Sequence, residues 1–359
     1  MNAPRALGER IAALIAAQGP ISVAQYMTLA LHDAQSGYYA TRQPLGRDFT
    51  TAPEISQMFG EMLGLWCAQV WHDQGRPKSV RLVELGPGRG TLMADALRAA
   101  KAVPDFRAAL EVVLVEASPA LTAIQQKTLA GCGVPLSWQT HFPDGFADRP
   151  LFVLANEFFD ALPVRQYVKT AKAWHERMVV AEDGGLAFAL APLPTPPAAI
   201  PADRAGAPEG GVYEVSAASL ALAGEIARAV AAKGGAALFV DYGHDGTGFG
   251  ETLQAMRDGR PAGVLDDPGA NDLSAHVDFA ALADAARRGG AMVSGPRPQG
   301  AFLAALGLSA RAERLIAANP GEAGAVRAAA QRLLDPAAMG DLFKALALLP
   351  PGAHTPPGF

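Results

Sequence analysis

A glycine-rich segment that follows a short apolar run constrains the fold of this chain more than any other feature. Residues 81–85 form the apolar run, and Gly86, Gly88 and Gly90 come directly after it, just before a helix-like segment that begins at Thr91. Glycines let the backbone approach a ligand closely, and the N–H groups at the start of a helix point toward that ligand. The segment therefore predicts a strand, a ligand-binding loop and a helix in succession.

Short apolar runs alternate with helix-like segments through the middle of the chain. The runs are typical of buried strands and occupy residues 81–85, 112–115, 151–155 and 236–240. Helices are predicted at residues 91–102 and 119–129, the second with Ser118 as its N-cap. This order predicts an α/β fold built on a parallel sheet.

The flanking segments follow other patterns. The first seventy residues are predicted to be mostly helical, with a capping box that opens a helix at Ser22. Residues 164–168 and 174–190 predict antiparallel strands, the latter turning near residues 182–185, and residues 192–208 form a Pro/Ala-rich loop. We expect an N-terminal helical and lid region at residues 1–75, then the sheet domain at 76–359 with insertions near 164–211 and 243–276.

Two carboxylates accompany the glycine loop. Glu84 precedes it directly, and Glu116 follows the second apolar run, 26 residues after Gly90, where folds of this kind place a ribose-binding carboxylate. The glycine spacing is GxGxG rather than the GxGxxG of dinucleotide enzymes, which favours a cofactor without a pyrophosphate. S-adenosylmethionine fits best, with its ammonium near Glu84 and its ribose on Glu116. A plain tight turn and a solvated strand end are the alternative, but the strand–loop–helix–strand order favours a cofactor.

Motifs that occur together along most of the chain carry a family resemblance. They are SGYY at 36–39, FTTAPEISQMFGE at 49–61, ELGPGRGTL at 84–92, EASP at 116–119, NEFFDALP at 156–163, DYG at 241–243, PGANDLSAHVDF at 268–279, QGAFL at 299–303 and MGDLFK at 339–344. In this combination they resemble the MidA family of S-adenosylmethionine-dependent methyltransferases, whose mitochondrial members assist the assembly of respiratory complex I. The chain departs from the family pattern at Ala270, where Glu is expected, and at Ser274, where Thr is expected.

The resemblance implies a fold, a cofactor and an activity. The fold is α/β, a Rossmann-like class I methyltransferase sheet with an N-terminal helical region and inserted helical and β-hairpin elements. The activity is that of a protein arginine N-methyltransferase, which uses S-adenosyl-L-methionine to make symmetric dimethylarginine on the 49-kDa subunit of complex I or its bacterial counterpart. A non-catalytic assembly factor that keeps the cofactor fold and a small-molecule methyltransferase stay open as alternatives.

An arginine acceptor needs carboxylates near the methyl donor, because the guanidinium stays protonated and must be oriented and deprotonated. Residues 156–160 directly follow a predicted strand, at the sheet edge where open α/β folds bind ligands. Glu157 is the first candidate for the catalytic carboxylate and Asp160 is the second. Asn156 is a candidate for both the catalytic and the cofactor site. Asp160 could instead cap a helix that begins at Ala161.

Other residues are candidates for binding the acceptor. Phe158 would exclude water from the pocket, and Asp241, Tyr242 and His276 would line the acceptor channel. Thr51 and Glu54 belong to a segment at residues 49–56 that predicts a lid over cofactor or substrate. The segment could also simply begin the helix that contains Ile55, Met58 and Phe59, and His276 could be an ordinary structural histidine.

Composition excludes several other classes of protein. The formal net charge is −5 and the chain has no Lys/Arg-rich block, so nucleic acid is an unfavourable partner. The two cysteines and seven histidines show no disulfide or metal-ligand spacing, and we expect no metal. We also expect no membrane insertion, and neither a P-loop nor a GxSxG motif occurs. Without a recognisable secretory signal, the expected location is the cytoplasm of a bacterium, or the mitochondrial matrix if the source is eukaryotic.

Overall fold

The computed structural model describes residues 6–41, 51–143, 148–182, 184–204, 206–246 and 249–359. The α-helices of these residues, in chain order, are α1 Leu7–Gln18, α2 Val23–His32, α3 Tyr38–Thr41, α4 Ala52–Ile55, α5 Gln57–Asp73, α6 Thr91–Ala99, α7 Pro104–Ala109, α8 Pro119–Thr128, α9 Ala217–Lys233, α10 Phe279–Arg288, α11 Gln299–Ala305, α12 Leu308–Ala318 and α13 Ala323–Leu334.

The strands are β1 Ile21–Ser22, β2 Val80–Leu85, β3 Leu110–Val115, β4 Leu136–Gln139, β5 Leu151–Asn156, β6 Arg165–Lys169, β7 Trp174–Glu182, β8 Gly185–Leu190, β9 Val212–Val215, β10 Gly235–His244, β11 Gln254–Arg257, β12 Arg260–Ala262, β13 Asp272–Ser274, β14 Val277–Asp278, β15 Met292–Pro298 and β16 Phe343–Leu349. The four strands predicted from apolar runs are therefore confirmed, as β2, β3, β5 and β10.

The chain divides into two compact units. One consists of residues 1–49, 160–219 and 247–276, and the other of residues 50–159, 220–246 and 277–359. We call the first the insertion unit and the second the sheet unit. The N-terminal helices α1 to α3 thus group with the strands inserted near residues 164–211, whereas α5 belongs to the sheet unit.

The sheet unit is built on an eight-stranded sheet in the order β15-β16-β10-β5-β2-β3-β4, with β14 beside β10. The strands from β10 to β4 run parallel to one another, and β2, β5 and most of β10 are buried along their length. Burial on both faces explains their near-continuous apolar sequences. The predicted α/β fold with a parallel central sheet is confirmed.

Two strands beyond β10 were not predicted. β16 pairs antiparallel with β10, and β15 pairs antiparallel with β16. The β10–β16 pairing joins residues about a hundred positions apart in sequence and the β15–β16 pairing joins residues about fifty apart, so no local turn signal marks either one. The resulting antiparallel extension completes the sheet on the side of β10.

A close helix contact attaches α5 to α6, the helix that follows the glycine loop. A Cβ atom added at Gly64 would lie 2.6 Å from the Cα of Ala96, and one added at Gly60 would lie 2.9 Å from the carbonyl oxygen of Leu92. Only glycine allows the backbones to approach this closely. The contact fixes α5 against the helix that follows the glycine loop.

The insertion unit contains two antiparallel sheets. One has five strands in the order β1-β7-β6-β9, with β8 also paired to β7, and the other has the order β12-β11-β13. The capping box at Ser22 is confirmed, since its hydroxyl accepts from the N–H of Gln25 while the Gln25 side chain accepts from the N–H of Ser22. The hairpin of β7 and β8 is also as predicted. Within the described part of the chain, no helix is long and apolar enough to cross a membrane.

Candidate functional site

The carboxyl ends of the parallel strands in the sheet unit carry most of the predicted site residues. The glycine loop follows β2, Glu116 follows β3, and Asn156 ends β5. β10 lies beside β5, and its Val240 carbonyl accepts the backbone N–H of Glu157 at 2.9 Å. Parallel strands bring these ends to one edge, where open α/β sheets bind ligands.

Gly86 shapes the first turn of the glycine loop. Its φ is +60°, and an added Cβ atom would lie 2.8 Å from Cδ2 of Phe158. Gly88 and Gly90 also have positive φ values, of 54° and 81°. The loop therefore needs glycine for its conformation, and the half-buried Phe158 ring lies directly against it.

Glu84 is a buried carboxylate next to this loop, only 3% exposed. Burial raises its pKa to about 8, and the nearby Glu116 carboxylate adds to the rise, while a hydrogen bond from the backbone of Met93 opposes it. A buried acid of this kind is stabilised in its ionised form by a cation placed beside it. The side chain is thus suited to an ammonium group.

Glu116 is half-buried, and two donors hold its carboxylate. The N–H of Ser118 donates to Oε1 at 2.7 Å, and Nε2 of Gln125 donates to Oε2 at 3.0 Å. Burial raises the pKa of Glu116, and these two hydrogen bonds, together with the nearby backbone N–H of Ala117, oppose the rise. Sequence reasoning missed Gln125; the available signal was a polar residue on the buried face of α8, one turn after Leu121.

Glu157 adopts a conformation that is unusual for a residue with a side chain. Its φ is +49°, in the left-handed region that glycine favours. Its Oε1 accepts from the backbone N–H of Ala52 at 2.8 Å and from Nδ2 of Asn156 at 3.0 Å. Backbone strain of this kind occurs preferentially at functional sites. The turn presents a carboxylate at the end of the central strand β5.

The segment at residues 51–56 contacts both Thr91, the first residue of α6, and Glu157. The Thr91 hydroxyl donates to Oε1 of Glu54 at 2.5 Å, while the neighbouring Ala52 bonds Glu157. The helix predicted to continue from Glu54 is interrupted, because Ser56 is extended and caps a separate helix, α5. Thr51 is the N-cap residue of α4, but its side chain makes no capping bond. Residues 49 and 50 of the predicted lid lie outside the described residues.

Asp241 is fully buried, and backbone groups engage its carboxylate. Oδ2 accepts from the N–H groups of Phe158 at 3.1 Å and Phe159 at 2.9 Å, and Oδ1 accepts from Tyr242 at 2.9 Å. The Tyr242 ring is nearly buried against Phe343. These two residues were predicted to line an acceptor channel, but Asp241 instead fixes the turn after Glu157 and the Tyr242 ring belongs to the core.

Two predicted residues lie in the insertion unit. The carbonyl of Asp160 accepts the N–H of Ala275 at 3.0 Å, and the N–H of His276 donates to the hydroxyl of Thr252 at 2.8 Å. No helix begins at Ala161, so the proposed capping role of Asp160 is wrong. Across the described ranges, no group of three or more His, Cys, Asp or Glu side chains is placed to hold a metal ion.

Two buried acceptor atoms at this sheet edge lack a hydrogen-bond partner within the part of the chain that the structure describes. They are Oε2 of Glu84 and Oδ1 of Asn156. Buried polar atoms are rarely left unpaired. A ligand that carries N–H or O–H donors would satisfy both atoms, so the residues present fit a cofactor with an ammonium and hydroxyl groups.

Comparisons with known proteins point to one family. Residues 62–297 match the model of a family described as S-adenosyl-L-methionine-dependent methyltransferases. The mitochondrial protein arginine methyltransferase NDUFAF7 of Mus musculus is 37% identical, over 94% of this chain and 82% of its own length. Its homologue in Drosophila melanogaster is 35% identical, over 96% of this chain and 85% of its own length.

A solved structure is similar over nearly the whole chain. It is a Burkholderia thailandensis protein bound to S-adenosyl-homocysteine, with 31% identity and a TM-score of 0.85 over 98% of this chain and 93% of that one. A native crystal structure of a protein from the same organism also matches with 31% identity and a TM-score of 0.85, over 98% of this chain and 93% of that one.

Proposed function

Because this chain belongs to the family of S-adenosyl-L-methionine-dependent methyltransferases, we propose that it methylates arginine side chains of a protein substrate. The methyl donor of the enzyme is S-adenosyl-L-methionine. The relatives that match over most of both chains are protein arginine methyltransferases. The observation that carries the proposal is Glu157. Its backbone has a φ of +49° directly after β5, and its side chain supplies the carboxylate that a guanidinium acceptor requires.

The glycine loop, Glu84 and Glu116 would hold the cofactor. Glu84 offers an unsatisfied buried oxygen for the ammonium, and Glu116 offers acceptor positions for the ribose hydroxyls. Asn156 adds a second unsatisfied oxygen at the same edge. When bound, the cofactor supplies an electrophilic sulfonium methyl group.

Glu157 would orient and deprotonate the acceptor. A guanidinium has no available lone pair while it is protonated, so a nitrogen must lose a proton as its bond to the methyl carbon forms and the carbon–sulfur bond breaks. A carboxylate binds the planar fork through charge-assisted hydrogen bonds and can take that proton. Phe158 would exclude water beside it. Asp160, Thr51, Glu54 and His276 stay predicted contributors to acceptor binding.

We further propose a specific substrate, the 49-kDa-type subunit of complex I or its bacterial counterpart, with symmetric dimethylarginine as the product. The support is the resemblance to the MidA family and the similarity to NDUFAF7 proteins. The enzyme would then act where that subunit is made or imported, in the bacterial cytoplasm or the mitochondrial matrix.

A labelled-methyl assay tests the proposal. The purified enzyme, S-adenosyl-L-methionine carrying a labelled methyl group and the recombinant subunit are incubated together, and the product is identified by mass spectrometry and amino-acid analysis. Label on arginine that disappears with Glu157→Ala supports the proposal. Label on another residue type contradicts arginine transfer to this subunit. So does the absence of any label from an enzyme whose cofactor binding is intact in the calorimetric measurement below.

A binding measurement separates the two parts of the proposal. Calorimetry with S-adenosyl-homocysteine is carried out on the wild type and on Gly88→Val and Glu116→Ala. Binding that both substitutions abolish supports the cofactor placement independently of the acceptor. Binding that neither substitution changes contradicts the placement.

A further inference from the structure

Gln125 is a fully buried amide at the centre of the cofactor edge of the sheet unit. Its side chain makes three hydrogen bonds: Nε2 donates to the carbonyl of Gly88 at 2.8 Å and to Oε2 of Glu116 at 3.0 Å, while Oε1 accepts from the Trp138 indole at 3.0 Å. One side chain therefore joins the glycine loop, the carboxylate after β3 and strand β4.

The orientation of this amide is unambiguous. The Trp138 indole N–H can only donate, whereas the Gly88 carbonyl can only accept, and so can the ionised carboxylate of Glu116. Exchanging the oxygen and the nitrogen of Gln125 would place donor against donor and acceptor against acceptor. The three partners thus hold the amide in one orientation, and the amide in turn holds Glu116.

The two hydrogen bonds from Ser118 and Gln125 leave acceptor capacity on both oxygens of Glu116. Each carboxylate oxygen has two lone pairs. The Ser118 N–H uses one on Oε1 and Gln125 uses one on Oε2, so among these contacts one position remains on each oxygen. Two adjacent acceptor positions match the two hydroxyl groups of a vicinal diol.

We propose that Gln125 is a positioning residue for cofactor recognition, which holds the Glu116 carboxylate ready to accept both ribose hydroxyls. The inference rests on the cofactor placement proposed above. By bonding the Gly88 carbonyl at the same time, Gln125 ties the glycine loop to the ribose carboxylate. This amide then determines how strongly the protein prefers a ligand with both ribose hydroxyls over one that lacks a hydroxyl, and not only the overall affinity.

The test compares two ligands across matched variants. S-adenosyl-homocysteine and its 2′-deoxy analogue are titrated by calorimetry into the wild type, Gln125→Met and Gln299→Met. Methionine keeps the length of glutamine but removes its hydrogen bonds. Gln299 is the matched control because it is also fully buried in the sheet unit, where it donates to the carbonyl of Leu333 on α13.

We expect the wild type to prefer S-adenosyl-homocysteine over its 2′-deoxy analogue by about tenfold, because the analogue lacks one hydrogen bond to the charged carboxylate of Glu116. Gln125→Met should reduce this preference to about twofold or less, while Gln299→Met should preserve it. A purely structural role for Gln125 would lower both affinities by the same factor and keep the preference, which overturns the proposal.

A second variant covers a failure of Gln125→Met to fold. Trp138→Phe removes the indole N–H that fixes Oε1 and leaves the other bonds of Gln125 in place, so the preference should fall part of the way. An unchanged preference in a folded Trp138→Phe contradicts the proposal. A wild type that binds both ligands equally contradicts the ribose role of Glu116 itself, whereas the arginine activity is decided separately by the labelled-methyl assay.

Discussion

The Glu157 carboxylate accepts a hydrogen bond from the backbone N–H of Ala52 at 2.8 Å. The two residues are about a hundred positions apart in sequence, and Glu157 has the positive φ of a strained turn. The contact joins the segment at residues 51–56 to the end of strand β5. It helps to orient the carboxylate.

Glu157→Gln should separate binding from chemistry. The glutamine carbonyl can still accept the Ala52 N–H, so the fold and cofactor affinity should change little. Loss of the charge and of the proton acceptor should lower methyl transfer by at least about 100-fold. Calorimetry and the labelled-methyl assay measure the two effects, with the exposed Glu313→Gln as the control. Undiminished transfer by Glu157→Gln would exclude a catalytic role.

Cofactor affinity should increase with pH because of Glu84. Its pKa of about 8 leaves it mostly protonated near neutral pH, and an ammonium ligand favours the ionised form. Binding should therefore release a proton and tighten as pH rises toward the free-protein pKa of about 8. Calorimetry in buffers of different ionisation enthalpy measures this release. In Glu84→Gln the proton release and the pH dependence of cofactor affinity should disappear. A pH dependence that persists in this variant would assign the proton to another group.

Glu84 should also affect folding stability in the absence of cofactor. Its folded-state pKa of about 8 lies above the ordinary value of 4.5, so the folded protein binds the proton more tightly than the unfolded chain. The free energy of unfolding should fall as pH rises between these two values. Urea unfolding at several pH values measures the trend, and Glu84→Gln should flatten it. A trend of equal slope in that variant would contradict the assignment.

Asp241→Asn should disturb the turn that carries Glu157. The amide cannot accept from Phe158, Phe159 and Tyr242 together, so at least one buried N–H loses its partner. We expect a loss of about 1–3 kcal/mol in the free energy of unfolding. We also expect a fall in kcat that exceeds the change in KM. The exposed Asp341→Asn is the control. Normal stability and kcat in Asp241→Asn would show that the turn holds without these bonds.

Two glycine-to-alanine substitutions in helices should have opposite consequences. The added methyl group at Gly64 would lie 2.6 Å from Ala96, whereas at Gly324 on α13 it would meet no atom within 4 Å. Gly64→Ala should lower the free energy of unfolding by about 1–3 kcal/mol. Gly324→Ala should leave it unchanged or raise it by up to about 1 kcal/mol, since alanine favours helix. Equal effects in thermal unfolding would contradict the close α5–α6 contact.

Local sequence patterns predicted the elements that depend on short-range physics. The runs that became β2, β3, β5 and β10 are apolar because both faces of the sheet are covered, and the turn after β2 requires glycine because Gly86 has φ +60°. The cofactor class and the candidates Glu84, Glu116 and Glu157 also followed from residue types at strand ends. These features are encoded within a few residues of one another.

Only the tertiary structure decided which distant groups meet. Three features join segments that are not neighbours in sequence: the pairing of β16 with β10 and β15, the bonds from the N–H groups of Phe158 and Phe159 to Asp241, and the bond from Gln125 to the Gly88 carbonyl. A polar residue gives the same local signal whether it is exposed or buried, and its partners are fixed only when the chain packs. The sequence thus determined the fold class and the chemical groups at the carboxyl edge of the sheet, while packing determined which of those groups are hydrogen-bonded within the protein and which are left with unpaired acceptor atoms.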